Sequence, residues 1–212
     1  MLRYFKPVIF LACLAPLGKL LWRGFHSTLG ANPIEAITHA TGDWTLTFLL
    51  ITLSVTPLRW LTRQYWLIGL RRMLGLFAFF YGALHLMTYL WLDKFFDVHE
   101  MLADIAKRRF ITAGMTAFTL MIPLALTSTK WSIRKLGGKR WQALHRLIYA
   151  SAAAAVIHYI WLVKADLKKP LEYAAVLGAL LLYRFVAWIA SRGSVVAKLE
   201  ASEGSTAAKI IV

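Results

Sequence analysis

The stretch that decides the fold is RRMLGLFAFFYGALHLMTYLWL, residues 71–92, a long apolar run that carries a single histidine, His85. A run of this length suits a helix that crosses a hydrocarbon core, which takes about 20 residues. A second run, LIYASAAAAVIHYIWLV at residues 147–163, carries His158. Ionisable side chains are costly in hydrocarbon and mark functional positions in membrane helices. The two runs therefore predict membrane helices that each place one histidine inside the bilayer.

Similar apolar runs recur along the chain. Hydrophobic residues make up 59% of the sequence and the mean hydropathy is +0.58, which is more apolar than a soluble domain of this length. The predicted spans are 7–22, 44–60, 73–92, 110–127, 141–163 and 171–190. The sequence thus predicts an all-α, multi-pass bundle of about six transmembrane helices over residues 1–191. The small and polar residues of 192–212 predict a loosely ordered cytoplasmic tail.

The charge pattern predicts the orientation of the bundle. The formal net charge of +15 would suggest nucleic acid as a partner of a soluble protein. Here the basic residues lie in the loops, where they favour the anionic lipids of a cytoplasmic leaflet and no nucleic acid. With the N-terminus inside, the inner segments hold 14 Lys and Arg and the outer segments hold eight. The positive-inside rule therefore places both termini in the cytoplasm.

The two membrane histidines lie at matched depth in their predicted helices. At 1.5 Å per residue, His85 is roughly 10 Å from the end of its helix near Leu92, and His158 is roughly 8 Å from the end of its helix near Val163. If these helices face each other, the two imidazoles can bind one haem iron from opposite sides, which suits electron transfer. The alternative is that each histidine only makes polar contacts between helices.

A third histidine, His145, lies thirteen residues before His158 and so roughly 20 Å closer to the inner side. On an uninterrupted helix the two rings would be rotated by about 140°. At the depth of His145, the third helix carries Arg71 and Arg72. Arginine cannot be an ordinary axial ligand, but it can bind haem propionates or a phosphate. His145 is thus a candidate ligand of a second iron, a contact to another cofactor or a quinone, or a structural histidine near the interface.

Two glycines of the third helix, Gly75 and Gly82, lie one heptad apart on broadly the same side as His85. Their missing side chains would let a flat macrocycle approach the backbone. The alternative is ordinary close packing of helices.

Four segments carry a resemblance to a known family. They are TGDWTLTFLLITLSVTPLR (41–59), RRMLGLFAFFYGALHLMTY (71–89), LGGKRWQALHRLIY (136–149) and IHYIW (157–161). In their order and spacing they resemble the MsrQ (YedZ) family, the haem-binding membrane subunits of a periplasmic methionine-sulfoxide reductase system, within the ferric reductase-like clan. The likeness covers most of the chain from the first to the sixth helix. Members of the wider clan usually carry two histidines on each of two helices, whereas this chain has one on the third.

The resemblance implies a function. A member of this family would bind haem b, as one group or two, and FMN. It would sit in the bacterial inner membrane and pass electrons from the quinone pool or a cytosolic flavin reductase to a periplasmic molybdopterin subunit, MsrP, where methionine sulfoxide is reduced. The sequence shows no Gly-rich phosphate loop, so FMN is implied by the resemblance alone.

Two other classes of function stay open from the sequence. A stand-alone ferric or cytochrome b561-like reductase would need a substrate site of its own, for which the acidic outer loop 93–104 is the candidate. A transporter or assembly factor would use the histidines only structurally.

Overall fold

The computed structural model describes residues 2–163 and 165–210, with side chains for 5–163 and 165–191. These residues form α-helices joined by turns and contain no β-strand. The helices are α1 (Leu2–Phe25), α2 (Pro33–Thr62), α3 (Arg71–Met87), α4 (Val98–Lys107), α5 (Arg109–Leu126), α6 (Lys130–Leu136), α7 (Gly138–His145), α8 (Leu147–Leu162) and α9 (Lys168–Ile210). Six helical segments within them are long and apolar enough to cross a membrane. The predicted all-α, multi-pass fold is confirmed.

The second helix begins well before its predicted start at residue 44. The Asn32 side chain accepts a hydrogen bond from the backbone N–H of Glu35 at 3.3 Å, and Pro33 occupies the first helical position. Both features favour helix initiation. The hydropathy pattern missed the first eleven residues of α2 because Glu35, His39 and Asp43 interrupt their apolar residues.

Two predicted helices consist of two segments each. The run that carries His85 is α3 followed by π-helical turns over Thr88–Asp93. The run that carries His145 and His158 is α7 and α8, which meet at a turn on Arg146. The rotation of about 140° between these two rings assumes an uninterrupted helix, whereas α7 and α8 are separated by the turn at Arg146.

Close packing joins the helices in two pairs, α2 with α3 and α5 with α8. In the first pair Leu49, Leu53 and Ala78 are fully buried. In the second pair Ala152 is fully buried and the Ser151 hydroxyl donates a hydrogen bond to the Ala117 carbonyl at 2.9 Å. Small side chains let membrane helices approach closely, and an internal hydrogen bond satisfies a hydroxyl that has no water.

A buried tyrosine connects α1 to this core. The Tyr81 hydroxyl donates to the Cys13 carbonyl at 2.9 Å and accepts from the Leu17 N–H at 3.1 Å. These two backbone groups are the usual i, i+4 partners of a helix, so the hydroxyl bridges them. The contact stabilises α1 against α3 and leaves no polar atom of Tyr81 unsatisfied.

By its packing the chain divides after Leu177. The first unit holds α1 to α8 and the beginning of α9, and it contains every site described below. The described backbone beyond it remains helical to Ile210, and positions 211 and 212 lie outside the described residues. The domain boundary at residue 191 and the loose order of 192–212 stay predictions.

Candidate functional site

The structure brings His85 of α3 and His158 of α8 together. Their ring centroids are 6.1 Å apart and the ring planes are inclined by 77°. Each ring belongs to a different helix pair, so the two imidazoles meet where the α2–α3 pair faces the α5–α8 pair. The two rings lie close together, as expected for histidines at similar depth on helices that face each other.

Both rings are held by the same kind of hydrogen bond. His85 Nδ1 is 2.9 Å from the carbonyl oxygen of Thr38 in α2, and His158 Nδ1 is 2.6 Å from that of Phe110 in α5. A carbonyl only accepts, so each Nδ1 carries the proton and each Nε2 keeps its lone pair. In the described part of the chain neither Nε2 has a hydrogen-bond partner. Histidines that bind metals use this arrangement, in which the second nitrogen fixes the ring and raises its basicity.

A glycine lies four residues after each of these carbonyls. A Cβ built on Gly42, which follows Thr38, would lie 3.1 Å from His85 Cε1, and one built on Gly114, which follows Phe110, would lie 2.8 Å from His158 Nδ1. Residues i and i+4 are neighbours on one helix face. Each imidazole therefore lies in a notch formed by a backbone carbonyl and a glycine, a feature that we call the carbonyl–glycine notch.

The notch glycines could not be identified from the sequence. Gly42 lies within the segment 41–59 that carries the resemblance, but nothing local distinguishes it from a glycine of ordinary packing. Each notch glycine lies on the helix that packs against the histidine helix. Such a glycine can be recognised only when it is known which helices pack together.

The geometry fits an iron held axially by the two imidazoles. A bond from a metal to an imidazole nitrogen is about 2 Å long, so two axial nitrogens lie about 4 Å apart and the ring centres, about 1 Å further out on each side, about 6 Å apart. The observed 6.1 Å between ring centroids agrees with this. By the separation of their rings, His85 and His158 are candidate axial ligands of a haem.

The glycines that the sequence singled out lie at helix contacts. A Cβ on Gly75 would meet the Thr52 methyl group of α2 at 3.6 Å, which is ordinary contact. A Cβ on Gly82 would meet Thr45 of α2 and Phe118 of α5, each at 3.4 Å. Both positions serve the close approach of helices, and their proposed contact with a macrocycle stays a prediction.

His145 lies apart from this pair at the start of the α7–α8 run. Its ring stacks on Trp141 at 3.8 Å, and its Nδ1 is 3.1 Å from the Trp141 carbonyl. Its Nε2 is buried without a hydrogen bond of normal geometry to any described residue, although the Leu124 carbonyl interacts with the ring. Arg71 lies within electrostatic range of His145, whereas Arg72 is exposed. The structure thus brings Arg71 and His145 into one neighbourhood.

A cluster of charges occupies the loop between α3 and α5, at the end of the bundle that the charge pattern assigns to the outside. Lys94 is only 7% exposed, and its Nζ is 2.7 Å from Glu100 Oε1 and 2.9 Å from Asp104 Oδ2. The hydrogen bonds to Glu100 and Asp104 raise the pKa of the Lys94 ammonium. The hydrogen bond from Lys94 lowers the pKa of Asp104, against the effect of burial. In the sequence, this segment is distinguished only as an acidic loop.

Comparison with known proteins assigns the chain to a class. Residues 39–156, over half of the chain, match the family described as "Ferric reductase like transmembrane component". This class fits a bundle of apolar helices with histidines inside it.

Similar proteins narrow the assignment. The chain is 55% identical to a protein of Herminiimonas arsenicoxydans over 186 residues, covering 86% of this chain and 85% of that protein. It is 56% identical to one of Azospira oryzae, with 89% and 81% covered, and 50% identical to one of Bordetella pertussis, with 89% and 92% covered. All three are named "Protein-methionine-sulfoxide reductase heme-binding subunit MsrQ". The chain belongs to the MsrQ family.

The contacts at the carbonyl–glycine notch predict different losses of haem affinity for different Gly→Ala variants. Gly114→Ala should lower haem affinity by about 10- to 100-fold, the range seen when the support of a metal ligand is lost, because the new methyl group lies within 2.8 Å of the His158 ring. Gly42→Ala should have a milder effect, since its contact with His85 is 3.1 Å.

The matched control is Gly18→Ala, on α1, where the added methyl group would have no described atom within 4 Å and the haem content should not change. Haem per chain in purified protein, measured by absorbance, gives the ranking. A full haem content and an unchanged spectrum in Gly114→Ala would show that the notch does not hold the ligand.

Proposed function

We propose that this chain is the haem b-binding electron-transfer subunit of a methionine-sulfoxide reductase system in the bacterial inner membrane. The observation that supports this most strongly is the pair of facing imidazoles, His85 and His158, each with Nδ1 on a backbone carbonyl. The names of the relatives, which describe a haem-binding subunit of such a system, agree with it.

The residues of the chain would do three things for the haem, which supplies one-electron chemistry when bound. His85 and His158 would both hold the iron, and two imidazole ligands favour electron transfer over reactions with oxygen. The carbonyls of Thr38 and Phe110 make the imidazoles more basic and so help to set the reduction potential. The apolar helices exclude water and insulate the site. None of these roles requires a substrate to reach the iron.

The partner would carry out the chemistry on methionine sulfoxide. Reduction of a sulfoxide to a thioether takes two electrons and two protons and releases water, so a one-electron carrier must deliver electrons twice. We propose that they pass to a periplasmic molybdopterin subunit, MsrP, at the outer end of the bundle. The donor would be the respiratory quinone pool or a cytosolic flavin reductase at the other end, with both termini in the cytoplasm.

His145 would serve an inner cofactor on the input side. Its Nδ1 is held by the Trp141 carbonyl of its own helix, and its Nε2 is buried without a normal hydrogen bond among the described residues. Arg71, and Arg72 beside it, would contact acidic groups there, either the propionates of a second haem or the phosphate of FMN. The opposite ligand of a second iron is not among the residues that the sequence singles out.

The alternative of a stand-alone reductase is less well supported. It relies on the acidic loop 93–104 as a substrate site, but Glu100 and Asp104 are already paired with Lys94. Metal substrates would have to compete with this buried ammonium group.

The outer pair is tested by His85→Ala and His158→Ala. Each variant should lose the low-spin haem that depends on two imidazoles, and with it reduction of the periplasmic partner, because one axial ligand is gone. Absorbance of purified protein and partner turnover in membrane vesicles measure both effects. His99→Ala, which removes an exposed histidine, is the control and should behave as the unaltered protein. A full low-spin spectrum in both alanine variants would rule out this ligand pair.

The inner site is tested by His145→Ala. This variant should keep the spectrum of the His85–His158 haem but should lose most of the electron delivery from the cytoplasmic side. Arg71→Gln should cause a smaller loss, since a charge-assisted hydrogen bond contributes only about 1.5–3 kcal/mol. The rate of outer-haem reduction by a quinol or a flavin donor in vesicles is the measurement. Unchanged rates and haem content in His145→Ala would make this histidine structural.

A further inference from the structure

The charge cluster of the outer loop joins the two chain segments that hold the ligand pair. Lys94 belongs to the segment that continues from His85 through the π-helical turns, and its backbone N–H donates to the Tyr89 carbonyl at 3.0 Å. The Tyr89 hydroxyl donates to Asp104 Oδ2 at 3.5 Å. Asp104 is therefore attached to the segment of His85 by two side chains, Lys94 and Tyr89.

The same aspartate is attached to the segment that holds His158. Its Oδ1 is 3.3 Å from Arg108 Nε, and its carbonyl accepts from the Arg108 N–H at 2.8 Å. Two residues further on is Phe110, whose carbonyl accepts the hydrogen bond of His158 Nδ1. The turn between α4 and α5 is fixed further by Thr112, whose hydroxyl donates to the Ile105 carbonyl at 2.6 Å.

We propose that Asp104 is a positioning residue for the outer haem, because it connects the segment beyond His85 to the turn that presents the Phe110 carbonyl to His158. The proposal rests on the proposed function, since it takes His85 and His158 as the axial pair. Asp104 contacts neither ring and acts through Lys94 and Arg108.

The burial of the cluster gives the connection its strength. Lys94 and Asp104 are each only 7% exposed, so loss of the carboxylate would leave a buried ammonium with Glu100 alone. Removal of one partner of a buried ion pair is strongly unfavourable, because it leaves the other charge uncompensated. We expect the loop to move so that the Lys94 ammonium finds other partners. A displaced Phe110 carbonyl would weaken the bond to His158 Nδ1, make that imidazole less basic and stabilise ferric iron less. The reduction potential of the outer haem should therefore rise.

The test compares Asp104→Asn with Asp93→Asn in the purified, haem-loaded protein. Asp104→Asn should raise the ratio of reduced to oxidised haem at a fixed potential by roughly three- to tenfold, where tenfold corresponds to about 59 mV for one electron. It should also alter the electron paramagnetic resonance signal of the low-spin haem. Asp93→Asn removes the same charge from an exposed position in the same loop and should change the ratio much less. Asp104→Glu should restore part of the unaltered behaviour.

Two further outcomes keep the test decisive. If Asp104→Asn does not accumulate, Arg108→Gln replaces it, because the Arg108 side chain is 52% exposed, and should shift the potential less in the same direction. Unaltered potential and resonance signal in both variants, or an equal shift in Asp93→Asn, would overturn the positioning role. Absence of a two-imidazole haem from the unaltered protein would instead overturn the proposed function.

Discussion

The hydrogen bond between a histidine Nδ1 and a backbone carbonyl of the neighbouring helix is the interaction on which the site depends. A glycine four residues after a helix carbonyl leaves the space beside that carbonyl open, so that an imidazole of a neighbouring helix can pack against it. Gly42 and Gly114 leave this space for His85 and His158. The bond fixes the tautomer and the orientation of each ring and leaves Nε2 for a metal. Two such notches, one on each helix pair, produce a bis-imidazole site without any further polar side chain.

The remaining architecture brings the two notches face to face. The α2–α3 and α5–α8 pairs pack through leucine, alanine and serine, whose small or well-packed side chains allow close approach. Tyr81 anchors α1 to this core. At one end of the bundle, Asp104 and Lys94 connect the loop segments that follow His85 and precede Phe110. The bilayer favours this design because polar groups without partners are costly there.

Much of this could be predicted from sequence. The number of spans follows from hydropathy. The similar depth of His85 and His158 follows from their similar distances to the helix ends, and their meeting required in addition that the two helices face each other. The notch glycines could not be predicted, because their role depends on which helix lies against which. Gly75 and Gly82 lie on the histidine helix itself, where a Cβ on either would meet α2 or α5. The turn at Arg146 and the helix α4 were missed because short or polar segments give little hydropathic signal.

The central claim is that His85 and His158 of one chain bind one haem between them. Haem stoichiometry together with electron paramagnetic resonance of the purified, unaltered protein tests it most directly. The account predicts at least one haem b per chain with the low-spin ferric signal of two axial imidazoles. A protein that purifies folded without haem, or with only high-spin haem that has an open axial position, would contradict it.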